Sequence, residues 1–177
     1  MFNETLMERI LDVENLRTAV AAVKRNKGKP GIDGMTVQEI IPHLNKHWPQ
    51  IKEKLLNGDY RPALVKGVVI PKADGGQRQL GIPTVQDRVI QQAISQQLSP
   101  EFDRDFSEHS YGYRPGRSAH DAIKAVQSFA RAGKTWCVDI DISAFFDHVN
   151  HDILMRRVSE KVTDKRVLKL IGRYLRA

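Results

Sequence analysis

Two aspartates two residues apart stand in an apolar run, Val138-Asp139-Ile140-Asp141-Ile142, and Ser143-Ala144-Phe145-Phe146-Asp147 follows. A carboxylate held at the end of an apolar strand suits phosphoryl transfer. Hard divalent cations take oxygen ligands, and a strand end presents one rigidly. Residues two apart on a strand share a face. Either one aspartate ligates metal while the other supports it, or Asp139 is structural. The turn that follows offers backbone N–H groups to phosphates. A plain surface strand is the competing reading; Val138, Ile140 and Ile142 on the other face and the Phe-Phe-Asp turn weigh against it.

Three further groups carry chemistry. Lys72 and Arg78 flank Ala73-Asp74-Gly75-Gly76. At a hairpin tip they would close over a triphosphate, the lysine as a point charge and the arginine as a fork or stacking plane; charges that merely keep a turn soluble are the alternative. Lys24-Arg25-Asn26-Lys27-Gly28-Lys29 packs four bases into six residues ahead of Pro30-Gly31-Ile32-Asp33-Gly34. A basic loop on a rigid scaffold converges on a phosphate backbone better than a helix face does, although a solvated face is the other reading. Phe106 to Arg117 interleaves aromatics with Arg114 and Arg117, which suits base stacking and phosphate contact; Tyr111 reads equally as core. His109, His120, His148 and His151 share no metal-ligand spacing on one expected helix and read as structural or solvent-facing.

The elements that must position these groups follow from periodicity. Residues 5–25 read as one helix with its stripe at Leu6, Ile10, Val13, Leu16, Val20 and Val23, and Asn3 as a cap. Thr36–Leu56 reads as helical in two pieces, with Pro42 and Pro49 as interruptions or helix starts. The β-branched run 63–71 and Gln79–Ile82 read as a hairpin turning at Asp74-Gly75-Gly76. Thr84–Leu98 reads as a helix opened by Thr84 and Asp87, and Ala119–Ala132 as another, capped by Ser118 and ended by Gly133. Thr135–Ile142 reads as a strand, then Asp152–Val158 and Lys165–Leu175 as helices. The fold class is α+β, helix-rich, with a β-hairpin and, later in the chain, a short sheet.

Composition narrows the setting. The 177 residues are 41% hydrophobic and 28% charged, with net charge +7, which is ordinary globular composition with a basic excess. The tail from Arg156 to Arg176 holds eight bases against Glu160 and Asp164. The single cysteine, Cys137, excludes a disulfide framework and points to a reducing compartment. No run of 18 apolar residues would span a membrane, and the N-terminus has no apolar signal core. The expected location is cytoplasmic.

Taken in order, these segments resemble the bacterial group II intron reverse transcriptases, or intron-encoded maturases. Lys29-Pro30-Gly31-Ile32-Asp33-Gly34-Met35-Thr36 resembles the loop of that family's N-terminal extension. Ile70-Pro71-Lys72 through Gly76, with Arg78 and Leu80-Gly81-Ile82-Pro83, resembles its fingers hairpin. Phe106-Ser107 through Tyr111-Gly112-Tyr113-Arg114-Pro115-Gly116-Arg117-Ser118 resembles the next fingers motif, and Asp139–Asp147 the first palm motif. The resemblance covers nearly the whole chain. It implies an extension (1–60), fingers (61–134) and the start of a palm (135–177).

The implied roles are specific. Asp141 would bind two catalytic Mg²⁺ ions, with the Ile142 carbonyl as a further ligand. Ala144 and Phe145 would offer N–H groups to the nucleotide phosphates, and Phe146 would lie against the sugar. Lys72 and Arg78 would hold the incoming dNTP. The loop bearing Lys24, Arg25, Lys27 and Lys29 would contact intron or template RNA. Implied partners are intron RNA, RNA template with DNA primer, and dNTP. The family's palm also carries a Tyr/Phe-x-Asp-Asp hairpin, and no Asp-Asp occurs here. The expectation is a polymerase whose present 177 residues do not polymerise alone and self-associate through an incomplete palm. The alternatives are a stand-alone RNA-binding module and a remnant of an inactivated mobile element.

Overall fold

The computed structural model describes residues 5–71 and 75–177. In chain order it contains α1 (Leu6–Ile10), α2 (Val13–Arg25), α3 (Ile40–Leu56), β1 (Lys66–Pro71), β2 (Gln77–Ile82), α4 (Val85–Asp103), α5 (Ala119–Arg131), a 3-10 turn (Phe145–His148), α6 (His151–Ser159) and α7 (Lys165–Tyr174). The helix-rich α+β character stands. By packing, the chain divides into two units, 5–97 with 150–177, and 98–149. The expected division at 60 and 134 follows motifs rather than packing.

The first unit buries one face of each of its longer helices. Leu6, Met7 and Ile10 of α1, Ile40, Ile51 and Leu55 of α3, Val85, Val89, Ile90 and Ala93 of α4, and Val167 and Leu170 of α7 form its core. The expected single helix over 5–25 is two helices. Asp12 turns extended (φ −61°, ψ 143°) and its carboxylate caps α2 by accepting from the N–H groups of Glu14 and Asn15. The apolar period runs through this break, so the stripe alone did not reveal it. Asn15 then ties α2 to α4, donating to the Ala93 carbonyl (3.1 Å) and accepting from Gln96 (2.8 Å) and Gln97 (2.9 Å).

The region expected as two helical pieces is the single helix α3, preceded by turn at 37–39. Pro42 falls in its first turn, where a missing N–H costs nothing, and Pro49 is accommodated inside. The helix expected to end at Leu98 continues past Pro100 to Asp103.

The hairpin forms as expected. β1 and β2 are antiparallel, with Lys66 opposite Ile82, Gly67 opposite Gly81 and Ile70 opposite Arg78. Gly75 supplies φ +82° at the turn. At the root, a Cβ on Gly81 would lie 2.7 Å from the Val65 side chain, so glycine permits the close approach there.

The second unit departs from expectation. Its α5 has Ser118 as the expected cap, joined by Asp121 in a capping box that was not expected, and Gly133 takes φ +86° after its end. The short palm sheet is not there: among the described residues the sheet has two strands, β1 and β2, and 134–142 is irregular chain. A strand is held by its ladder partner rather than by its own residues. None pairs with this segment among the described residues, and Val138, Ile140 and Ile142 are 80%, 82% and 63% exposed.

Candidate nucleic-acid interface

The hairpin carries Arg78 on β2, exposed and opposite Ile70. Lys72, its expected companion, lies outside the described residues, as does Asn3, the expected cap. The hairpin legs leave a well-built root. Tyr60 precedes the entering leg and Thr84 follows the leaving leg, and both meet Asp87 in the first turn of α4. Oδ1 of Asp87 accepts from the Tyr60 hydroxyl (2.7 Å) and the Tyr174 hydroxyl of α7 (3.1 Å). Oδ2 accepts from the Ala63 N–H (3.1 Å) and the Thr84 hydroxyl (2.7 Å). Asp87 is 2% exposed. Burial, followed by the adjacent Asp87 charge, raises the Tyr60 phenol far above its ordinary range. Burial also raises that of Tyr174, with Tyr60 and Asp87 adding to it. Both hydroxyls therefore stay protonated and donate.

The basic loop sits on the same helix turn. Arg88 donates to the Lys29 carbonyl (2.8 Å), and a Cβ on Gly28 would run into the Arg88 guanidinium. A Cβ on Gly31 would lie 2.8 Å from backbone atoms of Thr84. The glycines thus let the loop close over the turn that ends the hairpin. Lys27 holds φ +48°, a conformation uncommon outside glycine. Arg25, Lys27 and Lys29 are exposed and Lys24 is half-buried. Burial lowers the pKa of Arg88, with the Asp33 charge opposing; its Nε is buried without a hydrogen-bond partner among the described residues.

In the second unit, Arg114 and Arg117 organise their own loop. The Arg114 side chain is 6% exposed. It donates to both Asp103 carboxylate oxygens (2.7 and 3.2 Å) and to the carbonyls of Ser107 (2.7 Å) and Ser110 (3.0 Å). Its hydrogen bonds hold the Asp103 carboxyl below its ordinary pKa. Arg117 donates to the Glu108 carbonyl and lies 5.5 Å from the Tyr111 ring centroid. Tyr113 is fully exposed with φ +55°.

Asp139 and Asp141 lie on the exposed irregular segment. Beyond it Ala144 adopts the left-handed conformation (φ 48°, ψ 43°) and opens the 3-10 turn. Its carbonyl accepts from the Asp147 N–H (3.0 Å) and lies 3.0 Å from His148 Nδ1. Such backbone costs on the order of 1 kcal/mol for a residue with a Cβ and collects at functional turns. Phe145 and Phe146 stand with ring centroids 5.3 Å apart, Phe146 77% exposed. Among the described residues no cluster of three or more His, Cys, Asp or Glu is arranged to hold a metal. The two aspartates match the donor type Mg²⁺ prefers, one or two carboxylates completed by phosphates and water.

The basic tail is partly committed to structure. Arg166 bridges Glu8 (2.7 Å) and Asp164 (2.9 Å), and Arg173 donates to the carbonyls of Gly58 and Tyr60. Asp164, 3% exposed, also accepts from the Met7 N–H (3.0 Å). Sequence reasoning found Asp87 only as a helix-start residue and missed Arg88. The Thr84-x-x-Asp87 spacing signalled a cap, but no local pattern could say that Tyr60 and Tyr174 would converge on it. Among the described residues, no helix is long and apolar enough to cross a membrane.

Comparison with known proteins gives the family. Residues 70–176 match the family model described as reverse transcriptase (RNA-dependent DNA polymerase). Protein YkfC of Escherichia coli (strain K12) is 34% identical over 98% of this chain and 47% of its own length. Group II intron-encoded protein LtrA of Lactococcus lactis subsp. cremoris is 34% identical over 72% of this chain and 21% of its own. Nuclear intron maturase 1, mitochondrial, of Arabidopsis thaliana is 38% identical over 53% of this chain and 13% of its own. The chain thus spans less than half the length of these relatives. A family match from the hairpin to α7, with relatives named for group II introns and intron maturases, makes this chain a member of the reverse transcriptase (RNA-dependent DNA polymerase) family, of the group II intron kind.

Proposed function

We propose that this chain is the extension, the fingers and the first palm motif of an RNA-directed DNA polymerase that also binds its intron RNA and assists splicing and mobility. The observation that carries the reading is the shared seat of two loops. The basic stretch 24–34, whose Lys24 and Arg25 form the end of α2 rather than the expected loop, and the root of the hairpin bearing Arg78 both rest on the first turn of α4. One grips a phosphate backbone and the other a nucleotide, the two polyanions such an enzyme must hold together. The similarity to relatives named for intron proteins supports intron RNA as the RNA in question.

In the reaction of the whole enzyme, a primer 3′-hydroxyl attacks the α-phosphate of a dNTP, the new phosphodiester bond forms and pyrophosphate leaves. Arg78 and Lys72 hold the triphosphate, and the N–H groups of Ala144 and Phe145 orient it. Phe146 bounds the sugar. Mg²⁺, when bound, neutralises charge on the phosphates. Asp141 and the Ile142 carbonyl are the groups on this chain that would hold it.

A second reading, RNA binding without polymerisation, is favoured by one observation: Arg25, Lys27 and Lys29 stand exposed, whereas Asp139 and Asp141 lie on irregular chain. Two assays separate the readings. Filter binding of a structured intron RNA should show affinity falling steeply with salt; a flat response rejects the basic loop as the contact. Primer extension on an RNA template with Mg²⁺ should be null for this chain. In a longer reverse transcriptase carrying these residues it should be abolished by Asp141→Ala; unchanged incorporation there rejects Asp141 as the catalytic carboxylate.

A further inference from the structure

We propose that Asp87 is the positioning residue of the hairpin: one buried carboxylate ties the entering leg, the leaving leg and α7 into a single root, and so fixes where Arg78 is held. The inference rests on the reading that the hairpin holds the incoming nucleotide.

A two-stranded hairpin is marginal on its own in water. This one has little packing to steady it, since every described residue of β1 and β2 except Val68 and Ile82 is exposed. Its direction must therefore be set where the legs meet the helical core. Asp87 is the group at that place that touches both legs. Ala63 lies three residues before β1 and Thr84 two residues after β2, and the same oxygen accepts from both. The other oxygen takes the hydroxyls of Tyr60 and Tyr174. Four donors fill the acceptor capacity of an ionised carboxylate, and a carboxamide offers only one oxygen to the same four. Gln86 continues the network, donating to the Tyr60 hydroxyl (2.8 Å) and lying 2.7 Å from His43 of α3. The carboxylate thus ties the arm to α4 and α7, and Gln86 extends the network to α3.

The test uses the 177-residue chain, with dATP and Mg²⁺ as the probe. Amide exchange across 66–71 and 77–82 is measured alongside dATP affinity and the melting temperature. In Asp87→Asn, hairpin amides should exchange about tenfold faster and dATP should bind about fivefold more weakly, the scale of one or two lost hydrogen bonds. Ile10→Ala, a core truncation away from the root, should lower the melting temperature yet leave hairpin exchange and dATP affinity within about twofold. That control separates positioning from general destabilisation. If Asp87→Asn does not fold, Thr84→Ala and Tyr60→Phe, each removing one donor, should show the same two effects in smaller measure. Folded Asp87→Asn, or failing it both single-donor variants, with hairpin exchange unchanged from the parent overturns the proposal. Arg78→Ala should lose dATP with hairpin exchange unchanged. If it binds dATP normally, the nucleotide reading fails, while the exchange rates still decide the role of Asp87.

Discussion

Gly31 is the residue where sequence and packing meet most tightly. Its absent side chain is what lets the basic loop lie against Thr84. Gly31→Ala must push two backbones apart, and overpacking of this kind costs about 1–3 kcal/mol. The expected outcome is a lower melting temperature with weaker RNA binding, read by thermal denaturation and filter binding. Gly34→Ala, with open space around it, meets only the penalty of its φ of +72°. Asp164 is the second such residue. Burial alone would raise its carboxyl, but hydrogen bonds from Arg166 and the Met7 N–H outweigh this and hold it below the ordinary value; Arg166 likewise lowers Glu8. A carboxyl depressed on folding binds its proton more readily when unfolded. Its stabilisation is therefore full above the unfolded pKa of about 4 and is lost as pH falls through the lowered folded value. Urea unfolding between pH 6 and pH 2 should show stability declining only at the acid end. Asp164→Asn should flatten that decline and cost about 1.5–3 kcal/mol at neutral pH, as for a hydrogen bond to a charged group.

At the scale of elements, Asp12 marks a boundary that the apolar stripe hid. Asp12→Ala should cost about 1 kcal/mol through the lost cap and raise amide exchange in the first turn of α2. What was legible in the sequence was local. The pairing of the strands on either side of Gly75, the cap at Ser118 and the helix start at Thr84 are each written in a few neighbouring residues, and each forms. What was not legible depends on distant partners. The segment Thr135–Ile142 has strand residues in strand order, yet a strand needs a ladder, and none pairs with it among the described residues. The candidate site divides the same way. Arg78, the loop cations and the Ala144 turn were found by type and spacing. Asp87 and Arg88 were not, because their partners lie at Tyr60, Tyr174 and Lys29. Arg114 shows the converse: a cation read by type as an RNA contact turns its donors toward Asp103 and its own loop.

For the whole molecule, net charge and exposed apolar surface set behaviour in solution. Each phosphate contact contributes a salt slope of about −0.7 on single strands, so replacing Lys24, Arg25, Lys27 and Lys29 with alanine should flatten the slope of log affinity against log salt by about 3. A reduction well below that would move the contact elsewhere on the +7 surface. The second unit exposes Trp136, Val138, Ile140 and Phe146, together with Ile123 and Val126 of α5. Exposed apolar side chains favour association. Sedimentation velocity should show association that grows with concentration and that Ile140→Lys weakens.

The connectivity of the two units governs the order in which this protein acquires structure. The first unit is built from both ends of the chain, and all of 98–149 lies between them in sequence. Met7 waits for Asp164, Glu8 for Arg166, and Tyr60 for Arg173. A chain leaving the ribosome therefore holds α1, α3 and α4 with an uncovered seat until α7 emerges. Closing so long a loop slows folding more than it lowers final stability. Emergence of α7, rather than synthesis of the hairpin, becomes the moment at which the Asp87 root is complete.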